Sequence, residues 1–70
     1  MQKIEWKEGS VINTRIDSGT VVISANSEGL LSLADHLKAL AQESLGSHIH
    51  YDEYKSLEEG SQELIIEIIK

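Results

Sequence analysis

The chain has 70 residues with no cysteine, no proline and no phenylalanine, and 12 acidic against 6 basic side chains leave a formal net charge of −6. A chain this short forms one small domain, residues 1–70, with little room for a deep pocket and no disulfide or zinc-thiolate site to brace it. The negative balance disfavours nucleic-acid phosphates, and no apolar run approaches the roughly 18 residues of a membrane span.

Residues 3–7 alternate charged and apolar side chains, with Ile4 and Trp6 on one side and Lys3, Glu5 and Lys7 on the other, which predicts a short amphipathic strand. The same charges around Trp6 do not make the apolar stretch of a secretory signal, so the expected location is the cytoplasm. Glu8, Gly9 and Ser10 supply a turn. The β-branched run 11–17 reads as a second strand, with Ile12, Thr14 and Ile16 on one face. Asp17, Ser18 and Gly19 then punctuate the chain before Val21, Val22 and Ile23, predicting a hairpin with a third strand over 20–25.

From residue 27 to residue 45 the apolar period changes to three and four, through Leu30, Leu33, Ala34, Leu37, Leu40, Ala41 and Ser44. This predicts a helix with Asn26 or Ser27 as its cap, Glu28 in its first turn and Gly46 at its end. Leu37 falls at the centre of the expected buried stripe. Leu31 falls at its edge, and Glu28, Ser32, Asp35, His36, Gln42 and Glu43 are expected in water.

Alternation returns at 48–53, with Ile49 and Tyr51 on one face and His48, His50 and Asp52 on the other. Residues 54–61 read as an acidic connection, with Tyr54 accessible, and 62–69 as a last strand whose Leu64, Ile66 and Ile68 face the helix. Ile65 and Ile69 then need cover from Trp6, from neighbouring strands or from a second copy, so a homodimer is one possibility. The expected architecture is α+β, a single antiparallel sheet with one helix packed across it in the order β-β-β-α-β-β.

The spacing His48, His50, Asp52 is the one arrangement with metal-ligand chemistry, because alternate strand positions share a face. It lacks a defined third and fourth ligand, so a surface role is expected, no cofactor is implied and metal binding is kept as an alternative. There is no nucleophile beside a base, no phosphate-binding glycine loop and no pocket to separate the pKa values of paired acids such as Glu58 and Glu59, so the chain is not expected to be an enzyme. Trp6 reads as a residue of the core or a sheet face.

Charge is uneven: residues 1–26 sum to zero, 27–47 to about −2 and 48–70 to about −4. Combined with the exposed aromatic Tyr54, this places the expected partner-binding surface on His48, His50, Asp52, Glu53, Tyr54, Glu58 and Glu59, facing a basic protein.

Four segments together resemble a known family: Ile23-Ser24-Ala25-Asn26 leading into Glu28-Gly29-Leu30-Leu31-Ser32-Leu33-Ala34; Ser47-His48-Ile49-His50-Tyr51-Asp52; Leu57-Glu58-Glu59-Gly60-Ser61; and Glu63-Leu64-Ile65-Ile66. They are similar to the thirty-second immunity-protein family of bacterial polymorphic toxin systems, over about two-thirds of the chain. The resemblance implies a small intracellular α+β protein that neutralises a cognate toxin by stoichiometric occupancy. It brings no catalytic residues. A small acidic regulatory or adaptor protein is the other reading that the composition allows.

Overall fold

The computed structural model describes residues 4–54 and 56–70. In chain order it contains β1 (Ile12–Asp17), β2 (Thr20–Ala25), α1 (Ser27–Leu40), β3 (His48–Tyr51) and β4 (Leu64–Glu67). The class is α+β, but the expected single sheet in the order β-β-β-α-β-β is corrected to two separate antiparallel hairpins, β1 with β2 and β3 with β4.

Two physical reasons account for the difference. The first expected strand is not formed over residues 4–7, and Lys3 lies outside the described residues. Ile4 and Trp6 do pack against the core, as their alternation requires. Their neighbours' backbone groups, however, are taken by helix side chains: the Lys7 N–H donates to Ser32 Oγ at 2.9 Å, and the Glu5 carbonyl accepts from His36 Nε2 at 2.6 Å.

The second reason lies between the hairpins. The N–H groups of Glu58 and Gln62 donate to the carbonyls of Ile12 and Thr14, each at 2.9 Å. Four residue steps on one side thus span two steps on the other, and a turn in which the Ser61 N–H donates to the Glu58 carbonyl absorbs the excess. The Thr14 N–H donates to Ser61 Oγ at 3.3 Å, and Thr14 Oγ1 donates to the Gln62 carbonyl. The inner edge of β1 is therefore closed by an irregular segment and not by a strand ladder.

Buried Ile12, Leu33, Leu40, Ile49, Tyr51 and Leu57 form the core. On β3 and β4 the expected alternation holds, with Ile49 and Tyr51 buried, Leu64 and Ile66 half-buried, and His48, His50 and Ile65 exposed.

The helix is shorter than expected and turned about its axis. It ends at Leu40, and the next turn tightens as Gln42 and Glu43 donate to the carbonyls of Ala39 and Leu40. Gly46 has the expected positive φ, 92°, but its N–H donates to the Ile68 carbonyl and so serves the second hairpin. The buried side is Gly29, Ser32, Leu33, His36 and Leu40, whereas Leu30 and Leu31 are exposed and Leu37 keeps 44% of its surface in water. Ser32 and His36, expected in water, are buried.

The start of α1 explains its orientation. Asn26 Oδ1 accepts from the N–H groups of Gly29 at 2.8 Å and Val11 at 3.0 Å, while Asn26 Nδ2 donates to the Gly9 carbonyl at 2.8 Å. A Cβ on Gly29 would stand 2.7 Å from the Val11 carbonyl oxygen. Only glycine lets the helix approach the backbone at Val11, just before β1, this closely.

Candidate partner-binding site

Tyr51 is the core residue behind the candidate site and Tyr54 an exposed residue within it. Tyr51 is fully buried at the inward end of β3. Its hydroxyl lies 3.0 Å from His36 Nδ1, and Trp6 meets both rings edge-on with centroids 4.8 Å from His36 and 5.9 Å from Tyr51. Because the Glu5 carbonyl only accepts, His36 Nε2 carries the hydrogen of that bond, and in the neutral imidazole Nδ1 accepts from the Tyr51 O–H. Burial pushes the Tyr51 hydroxyl pKa from 10.0 up to about 12, since the phenolate would lose its hydration.

Immediately after β3 the chain turns outward. The Asp52 carbonyl accepts from the N–H groups of Ser56 at 3.0 Å and Leu57 at 2.9 Å, and Asp52 Oδ1 accepts from the Tyr54 N–H at 3.1 Å. This is the local turn chemistry that aspartate favours. Leu57 drops into the core and anchors the far side, leaving Tyr54 88% exposed between the two. Glu53 Oε2 accepts from the Gly60 N–H at 2.8 Å, drawing the connection closed. Glu53, Tyr54 and Glu59 then line a hollow of about 400 Å³.

Of the residues expected at the partner surface, those three come together. Glu58 is exposed beside them, with its backbone bonded to β1. Asp52 is half-buried and its carboxylate shapes the turn. His48 and His50 point outward from β3, away from the Tyr51 side. His50 Nε2 lies 2.8 Å from Glu63 Oε2 on the neighbouring strand. No local pattern in the sequence marks Glu63, because pairing it with His50 requires the β3–β4 register, in which His50 faces Ile65 and Glu63 precedes it on the same face. Among the described residues no group of three or more His, Asp or Glu is arranged to hold a metal ion. No helix among them is long and apolar enough to cross a membrane.

Residues 20–69 match the family model described as Imm32, immunity protein 32. Neither curated proteins nor solved structures gave a match.

Proposed function

The chain belongs to the immunity protein 32 family, and from that premise we propose that it binds a cognate protein toxin and neutralises it by occupying its working surface. The match over residues 20–69 is the observation that carries this reading. The partner is proposed to be basic and the chain to act without catalysis, in the cytoplasm where the toxin would otherwise work. Contact is assigned to the face holding Glu53, Tyr54, Glu58 and Glu59, with His48, His50 and Asp52 at its border. Acidic groups there would steer the encounter, and Tyr54 would insert into the partner and slow its release.

The test is calorimetric titration with a toxin domain sought in the neighbouring reading frames, followed by stopped-flow kinetics. One-to-one binding with loss of toxin activity is expected. Glu53→Gln, Glu58→Gln and Glu59→Gln together should lower the association rate at least tenfold at low salt and flatten its salt dependence. Absence of binding would remove the toxin reading. Binding at an unchanged rate would move the contact to another face.

A further inference from the structure

We propose that the outer edge of β2 pairs antiparallel with β2 of a second copy of this chain, in a two-fold register centred on Val22. The bonding pattern of the first hairpin defines that edge. Ser18 and Gly19 both have positive φ, 51° and 84°, so the two-residue loop closes on Asp17 and Thr20 as a hydrogen-bonded pair. Alternation then directs the backbone groups of Thr20, Val22 and Ser24 towards β1 and those of Val21 and Ile23 outwards. The Asn26 N–H donating to the Val11 carbonyl at 3.1 Å keeps the same parity at the other end. Residues 58–62 close the far edge of β1, whereas among the described residues nothing bonds the outward groups of Val21 and Ile23.

Open edges are ordinarily guarded by a charge, a proline or a bulge. β2 has none of these, and residues 18–27 form the longest stretch of the sequence without a charged side chain. β2 itself therefore sets no charge against a second copy of a chain with net charge −6, while Arg15 on β1, across from Val22, is held to Ser24 Oγ at 3.1 Å.

The strand is also complementary to itself. Centred on Val22, the pairing bonds Val21 to Ile23 of the second copy, sets Val22 against its own copy in a non-hydrogen-bonded position, and places the Thr20 hydroxyl opposite Ser24. Centring on Ile23 also preserves the parity, but it opposes Val22 to Ser24 and Thr20 to Asn26. The Val22 register further joins an apolar strip, because Ile16 and Val21 face each other within one hairpin and are 59% and 62% exposed. Both copies present this strip on the same side of a four-stranded sheet. Nothing in uncharged β2 selects a basic partner, which favours a second copy over the toxin. Pairing of two six-residue strands is a small contact, so weak association is expected, with a dissociation constant on the order of micromolar to hundreds of micromolar.

Sedimentation equilibrium of the full chain from about 1 μM to about 1 mM should show its mass rising from 7.8 kDa towards twice that value. Val22→Lys should raise the dissociation constant at least tenfold while the circular dichroism stays unchanged. The sequence has no cysteine, so a single introduced thiol reports one contact. In the proposed register Val22→Cys brings its sulfurs into disulfide range, at a Cα separation of about 4.5 Å. Thr20→Cys leaves its two thiols several residues apart. Under mild oxidation the first should form a covalent dimer at least tenfold faster than the second. A strictly monomeric chain at about 1 mM, or equal cross-linking of the two variants, would overturn the proposal.

Discussion

Tyr51 and Tyr54 are three positions apart and have opposite surroundings, the first fully buried and the second 88% exposed. Strand alternation alone sends Tyr51 inward with Ile49. What makes that burial stable is a partner for its hydroxyl, His36, held in turn by the Glu5 carbonyl. Tyr54 sits within a turn built on Asp52, which leaves its ring in water. The inner ring therefore serves stability, whereas the outer one is available for recognition.

The largest effect should come from emptying the inner position. Tyr51→Ala removes a fully buried ring and orphans His36 Nδ1, which should cost about 3 to 5 kcal/mol and in a domain this small can unfold it. Urea denaturation checks this. A loss below about 1 kcal/mol would place the ring outside the true core.

A titration separates the two tyrosines without mutation. The Tyr51 pKa, raised to about 12 in the folded state from 10.0, means that the folded chain holds its phenolic proton longer than the unfolded chain. Its contribution is complete below pH 10 and disappears as pH rises through about 12, a loss on the order of 1 to 3 kcal/mol. Unfolding free energy measured between pH 9 and pH 12 should fall in wild type, and the tyrosine-specific part of the fall should vanish in Tyr51→Phe but persist in Tyr54→Phe.

A smaller effect is expected on the helix. Leu37 lies beside the buried face and remains 44% exposed, so Leu37→Ala should cost less than about 1 kcal/mol in the same urea assay. A loss of about 2 to 5 kcal/mol would restore it to the central place that periodicity suggests.

Why periodicity misassigned that helix is instructive. Of the apolar stripe Leu30, Leu33, Ala34, Leu37, Leu40, Ala41 and Ser44 the chain buries Leu33 and Leu40. Beside them it buries Ser32 and His36, because a polar backbone segment, Glu5 to Lys7, lies across these two and completes their hydrogen bonds. No local pattern encodes that long-range match. The hairpin turn at Ser18-Gly19, the Asn26 cap and the inward Ile49 and Tyr51 depend on neighbours in sequence and were legible. The sheet was not, because its division depends on how residues 58–62 meet β1. At the site, the exposure of Tyr54 could be read from composition, while the joining of Glu53 to Gly60 and of His50 to Glu63 required the fold.

Tyr54→Ala, measured in parallel for stability and for release of the toxin domain, separates recognition from folding most sharply. Its unfolding free energy should stay within about 0.5 kcal/mol of wild type, because the ring is almost wholly in water. Its complex with the toxin domain should dissociate at least tenfold faster, as expected for an aromatic anchor of about 1.4 kcal/mol or more. An unchanged dissociation rate with unchanged stability would contradict the assignment of Tyr54 to recognition.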